Sequence, residues 1–318
     1  MGIDRRGMMR LALAAGAASA LGGRALAVGG QEVIPLWPGR PPGAPATLPM
    51  YEQATRGTPE RPRLWVTAVD RPTIAVYRPA MPNGIALLMI PGGGYGGLAF
   101  EQEGLEPSRR YAAMGYTVFL LTYRLPKQGW ARQADVPLQD AQRALRLIRA
   151  GATRFGVDPA KIGVMGFSAG GHLAASLATG YGEAIYTTVD AADRVSARPD
   201  FAAPIYAVTT LEGPGAHSGS RRNLLADPTN DAEVRRRSPL LHIDAKTPPS
   251  FVAHAVDDRT VPVAASLRWI EACVTAQVPV EGHILQRGGH GFGVNFADDM
   301  PGSLWPQTFD RWVKRLYS

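Results

Sequence analysis

The chain has 318 residues, 45% apolar and 19% charged, a composition that builds a globular protein with a sizeable core and excludes a disordered or fibrous one. Its net charge of +7 comes from 34 basic and 27 acidic residues, with no lysine-rich arm and no basic stripe interleaved with aromatics, so a nucleic-acid partner is not expected. The single cysteine, Cys273, lies in a helical pattern, which excludes an intrachain disulfide and reads as a small buried hydrophobe.

Residues 1–27 read as an export leader. Basic MGIDRRGMMR precedes apolar, small-residue LALAAGAASALGG, and Ala25-Leu26-Ala27 fits a cleavage site. Arg5-Arg6, followed by Gly7-Met8-Met9-Arg10, looks like a twin-arginine signal, so a periplasmic or secreted protein is expected, exported already folded. The apolar run is too short and too rich in Ala and Gly to span a membrane, and no membrane association is expected after cleavage. Without the leader 30 basic and 26 acidic residues remain, a net charge of +4.

Residues 28–63 are rich in Pro and Gly, with WPGRPPGAP at 37–45, and predict an extended N-terminal arm lying over the domain rather than a core element. From residue 64 to 318 the pattern becomes regular. Leu64 to Val69 and Thr73 to Tyr77 read as an antiparallel pair of strands, and IALLMI (Ile85 to Ile90) as a fully buried one. A helix over Leu105 to Met114 ends at Gly115. The strand YTVFLLT (Tyr116 to Thr122) and a helix over Leu138 to Phe155 come next. Strands follow at Ile162 to Met165, Phe201 to Val208, Ser250 to Val256 and Val280 to Gln286, with helices over Val263 to Ala276 and Leu304 to Leu316. This alternation predicts an α/β protein with a mostly parallel sheet covered on both faces. Residues 209–248 break the rhythm with turns, charges and one short helix, and read as a lid-like insertion over the site. Arg235-Arg236-Arg237 and Arg221-Arg222 within it read as a solvated face or local ion pairs.

Chemistry enters at GFSAGGH, residues 166–172. A strand that becomes a helix within two residues leaves little room for side chains, and Gly166 and Gly170 flank Ser168 where that room is needed. The string is G-x-S-x-G, a nucleophile elbow presenting the Ser168 hydroxyl above the sheet. The acid and base should follow in that order on loops beyond the carboxyl ends of later strands. His172 points down the elbow helix and reads as structural. His254 and His283 sit mid-strand, away from the mouth, and His217 and His242 are lid candidates at best. His290, in the loop GGHGFG after the last strand, is the expected base. Asp258, first residue of D-x-x-V-P with Val261-Pro262, is the expected acid. Its neighbour Asp257 is expected to bond backbone or lid. PGGGYGG (Pro91 to Gly97) after IALLMI is the expected oxyanion loop, with the N–H groups of Gly93, Gly94 and Ala169 as donors. The loop lacks the spacing of a phosphate-binding motif, and H-E-x-x-H is absent, so neither a metal nor another cofactor is expected.

PGGGYGGLAFEQEG, YTVFLLTYRL, PLQDAQRALRLIR, GVDPAKIGVMGFSAGGHLAAS, GSRRNLL, HAVDDRTVPVAASLRW and HILQRGGHGFG together resemble the bacterial acetyl xylan esterase-like branch of the α/β-hydrolase superfamily, from about Leu64 to Leu316. The resemblance implies an α/β-hydrolase fold, with nucleophile Ser168, acid Asp258 and base His290. The related hormone-sensitive-lipase type group has His where this chain has Pro91, which favours the xylan-esterase-like branch. The implied reaction is hydrolysis of short acyl esters through an acyl-enzyme, with acetyl groups on xylan or xylo-oligosaccharides as substrate. The alternatives are another short-chain acyl esterase (feruloyl or general) or an aryl formamidase. The insertion is too polar for a lipase lid. Oligomeric state is not legible in the sequence.

Overall fold

The computed structural model describes residues 31–296, 299–300 and 302–318, so the leader expected at 1–27 lies outside the described residues. Among the described residues ten strands run β1 (Glu32–Pro35), β2 (Glu52–Thr58), β3 (Arg61–Ala68), β4 (Thr73–Tyr77), β5 (Ala86–Ile90), β6 (Thr117–Thr122), β7 (Ile162–Phe167), β8 (Phe201–Ile205), β9 (Ser250–Ala255) and β10 (Val280–Leu285). Eight of them form one sheet in the order β1-β4-β6-β5-β7-β8-β9-β10. From β6 to β10 every neighbouring pair is parallel; β1 and β4 join antiparallel at one edge. The buried apolar runs of β5, β6 and β7 are what a parallel sheet covered on both sides demands.

The helices are α1 (Glu106–Ala113), α2 (Val136–Ala150), α3 (Ala152–Phe155), α4 (Ala169–Gly180), α5 (Ser218–Leu224), α6 (Asp231–Arg236), α7 (Ala264–Thr275) and α8 (Trp305–Arg315). Successive residues of a strand point to opposite faces, and β9 shows which helices lie where. Phe251 packs against Phe309 and Trp312 of α8, while Val252 joins Trp269 and Cys273 of α7 and Ala175 of α4. Tyr111 of α1 meets Phe309 edge to face, so α1 shares the face of α8. On the opposite face the Cys273 thiol is buried between α7 and the sheet, and burial pushes its pKa up to about 12.

The structure departs from expectation in four places. The arm at 28–63 does not merely lie over the domain. It supplies edge strand β1, and it buries Leu36 and Trp37, whose indole Nε1 donates to Asp140 at 2.8 Å. Asp140 also takes the fully buried Arg124 guanidinium, so the arm closes a polar cluster as well as an apolar one. The strand at 64–69 pairs with β2 in a separate hairpin rather than with β4, because β4 is already flanked by β1 and β6. The helix expected over 138–155 is two, joined at Gly151. The insertion at 209–248 holds two α-helices, α5 and α6, plus a 3-10 turn at Pro239–His242. Two of its arginines are tightly ion-paired: Arg236 reaches Asp135 at 2.7 Å and Glu233 at 2.9 Å, and buried Arg237 reaches Glu183 at 3.1 Å and also Asp135.

Candidate active site

The turn between β7 and α4 holds Ser168 at φ 54°, ψ −117°, a strained backbone for a residue with a side chain. The two glycines beside it are there for space. A Cβ on Gly166 would lie 2.1 Å from Gly170 O, and one on Gly170 would lie 2.3 Å from Ile90 O. The strain turns the serine side chain out of the sheet toward the loop after β10. There His290 Nε2 lies 2.8 Å from Ser168 Oγ, and His290 Nδ1 lies 2.7 Å from Asp258 Oδ2. The carboxylate can only accept, so Nδ1 carries the proton and Nε2 is left to accept from the serine hydroxyl. The structure thus brings together three side chains from three separate loops.

Asp258 follows β9 and is 7% exposed. Its Oδ1 accepts the N–H groups of Thr260 at 2.8 Å and Val261 at 2.9 Å, which is why the motif closes two and three residues on. Its Oδ2 is shared with His254, whose Nε2 lies 3.2 Å away. Burial pushes the Asp258 pKa up, but hydrogen bonds from His254 and His290 outweigh it and hold the carboxyl well below the usual carboxylate range. Asp257 bonds elsewhere, accepting the N–H groups of Gly288 and Gly289 at 2.9 and 2.8 Å, and so shapes the loop that carries His290.

The loop after β5 runs beside the serine. Gly92 approaches it so closely that a Cβ would lie 2.9 Å from Ser168 Cβ and 2.5 Å from Phe167 O. Gly93 has φ +122°, a conformation for which glycine is suited. Among the described residues no acceptor engages the N–H of Gly93 or Gly94. Ala169 opens α4, where an N–H has no intrahelical acceptor. Three free amides therefore lie in the segments that meet at Ser168. The β2–β3 hairpin backs this loop through the Val66–Leu98 bridge. From the insertion, Asn223 of α5 donates to Gly94 O at 2.9 Å, so the insertion touches the loop.

Among the described residues no other histidine bonds the serine hydroxyl. His172 is buried, with Nδ1 2.7 Å from Tyr95 Oη and Nε2 2.8 Å from Arg237 O. Burial lowers its pKa to about 4, so it is neutral at neutral pH. His217 caps α5 by accepting from Ser220 N–H, His242 lies against the carbonyls of Arg235 and Arg236, and His283 reaches Glu281.

Sequence reasoning missed Glu103, Tyr206 and the contact of His254 with Asp258. Glu103 sits on a π-helical turn at Glu101–Leu105 that leads into α1, 4% exposed. Its Oε2 accepts Gly92 N–H at 2.9 Å and its Oε1 accepts the Tyr206 hydroxyl at 3.0 Å. Burial raises its pKa, opposed chiefly by the nearby His290. Tyr206, at φ 34°, closes β8 and turns its ring edge to His290 at 5.2 Å. His254 was detectable four residues before Asp258; the two glutamates of FEQEG carry no comparable signal.

The sequence profile of the BD-FAE family matches residues 75–272. The chain is 33% identical over 219 residues to endo-1,4-beta-xylanase B of Butyrivibrio fibrisolvens, covering 69% of this chain and 34% of that protein. It is 30% identical over 224 residues to the acetylxylan esterase of Xylanibacter ruminicola, covering 68% and 43%. The chain thus spans between a third and a half of the length of these curated relatives. Among solved structures, an acetyl ester-xyloside bifunctional hydrolase from Caldicellulosiruptor lactoaceticus superimposes with a TM-score of 0.74 at 31% identity, covering 90% of this chain and 96% of that one.

Proposed function

The chain belongs to the BD-FAE family, and on that footing we propose that it is a carboxylic ester hydrolase using Ser168, His290 and Asp258 through an acyl-enzyme. The observation that carries this reading is the unbroken hydrogen-bonded line from Ser168 Oγ through the His290 imidazole to Asp258 Oδ2. His290 Nε2 takes the serine proton as Oγ attacks the ester carbonyl. Asp258 keeps the imidazole in the required tautomer and stabilises the imidazolium. The carbonyl oxygen becomes an oxyanion, met by the N–H groups of Gly93, Gly94 and Ala169. Each such donor is worth about 100- to 1000-fold in rate. The imidazolium then gives its proton to the leaving alcohol. Water, activated by the same imidazole, attacks the acyl-serine and releases the acid.

The substrate we assign is a short acyl ester, with acetyl groups on xylan or xylo-oligosaccharides as the natural case. The names of the relatives support this, joining acetyl ester hydrolysis with xylan and xylosides. The site acts on secreted polysaccharide if Arg5-Arg6 direct export, and N-terminal sequencing of protein recovered from the periplasm would test that. The deciding experiment is acetate release from acetylated xylan, set beside feruloyl, acyl-glycerol and aryl formamide substrates. Preference for the feruloyl or formamide members would overturn the acetyl assignment. Activity independent of Ser168 would overturn the mechanism.

A further inference from the structure

The proposed mechanism gives Glu103 no role, yet its contacts run to two of the loops that make up the site. Oε2 holds the N–H of Gly92, directly before Gly93 and Gly94. Oε1 holds the Tyr206 hydroxyl, and that oxygen in turn accepts Gly293 N–H at 3.1 Å, three residues past His290. One carboxylate therefore ties the loop after β5 to the loop after β10, with Tyr206 as the link. Both of its partners are donors. A carboxylate can accept at each end, whereas a glutamine that kept Gly92 N–H on its oxygen would have to donate its NH₂ to the Tyr206 oxygen, leaving the tyrosine proton without its acceptor. A buried carboxylate is unfavourable unless such bonds are made, so its presence in this space points to a geometric duty that an apolar side chain could not discharge. Tyr206 itself is held at positive φ, a strain that fixes its ring and hydroxyl against the histidine loop.

We propose that Glu103 is a positioning residue that clamps the oxyanion loop to the histidine loop, so that the Gly93 and Gly94 amides and the His290 imidazole keep fixed places around Ser168 Oγ. The proposal rests on the hydrolase reading above. The clamp acts on the transition state more than on substrate binding, because oxyanion donors and imidazole are both aimed at charge that develops only there.

Glu103→Gln, Tyr206→Phe and the double variant test it with p-nitrophenyl acetate, rates being expressed per active site titrated with diethyl p-nitrophenyl phosphate. Each single variant is expected to lose roughly 10- to 100-fold in kcat with KM within threefold, the pattern of an interaction made in the transition state. The double variant should be no worse than the poorer single one, since both cut the same link. Tyr206→Phe removes one atom and reports even where Glu103→Gln does not fold. A kcat per titrated site within twofold of the parent, or losses that multiply in the double variant, would overturn the clamp. A parent protein without Ser168-dependent turnover would instead overturn the hydrolase reading.

Discussion

His254 and His290 meet at a single oxygen of Asp258, 3.2 and 2.7 Å from Oδ2 respectively, while the other oxygen is occupied by two backbone amides. The acid is thus oriented from three sides before substrate arrives. Asp258→Asn would present an NH₂ or a weaker acceptor to His290 and unsettle its tautomer. The expected loss in kcat is about 10⁴-fold. Asp257→Asn keeps an oxygen for the Gly288 and Gly289 amides, so its loss should stay within about tenfold. His254→Phe should fall between them. Steady-state kinetics on p-nitrophenyl acetate order the three; a larger loss for Asp257→Asn than for Asp258→Asn would move the acid to position 257.

Two neighbouring glycines should respond very differently to alanine. At Gly92 the added methyl would sit 2.5 Å from Phe167 O and from Glu103 Oε2, so the elbow or the clamp must shift. At Gly94 it would meet nothing within 4 Å, and the φ of +63° is the only obstacle, costing about 1–2 kcal/mol of stability. Gly92→Ala is expected to lose at least about 100-fold in kcat, the value of one oxyanion donor. Gly94→Ala, which keeps its N–H, should retain most activity while melting lower. Equal activity losses would place the loop differently from the packing described.

His172 makes stability depend on pH. Its pKa lies near 4 in the folded protein, against about 6.5 when unfolded, because burial disfavours the imidazolium. The unfolded chain therefore takes up this proton first as pH falls. The stability is fully present above about pH 6.5 and is lost progressively down to pH 4, by about 3 kcal/mol in total. Urea denaturation at pH 7 and pH 4.5 measures it. His172→Asn should lower stability at pH 7 but flatten this part of the pH dependence; an unchanged slope would assign the titration to other groups.

Trp37 reports on the N-terminal arm. It is 5% exposed, and its indole N–H is one of the donors on buried Asp140. Trp37→Ala should destabilise the protein by about 3–5 kcal/mol, the usual cost of emptying a large aromatic site. A loss under 1 kcal/mol in urea denaturation would return the arm to the status of a loose strap.

The central sheet was legible because β5 to β9 announce themselves as apolar runs between turn residues. Ser168, Asp258 and His290 were legible together because the parallel sheet dictates where each must stand, at the ends of β7, β9 and β10. β1 was not: EVIP is four residues long in a Pro- and Gly-rich setting, and only the edge offered by β4 makes it a strand. The helix at Asp231–Arg236 carried a usable mark, Asn230 capping Glu233 N–H three residues on, which the surrounding charges obscured. Glu103 and Tyr206 lie beyond sequence reasoning of this kind. Their meaning comes from a π-helical turn and a positive φ, and neither leaves a periodicity.

The antiparallel edge has a practical consequence for anyone trimming the gene. A fragment starting at residue 64 would retain every group assigned to catalysis, yet β4 would lose its outer partner along Thr73–Val76. A bare, largely apolar ribbon of unpaired amides and carbonyls is a template for self-association. Such a fragment also lacks Trp37 and the β2 strand of the hairpin behind the oxyanion loop, so it should lose stability as well as precipitate in proportion to its concentration.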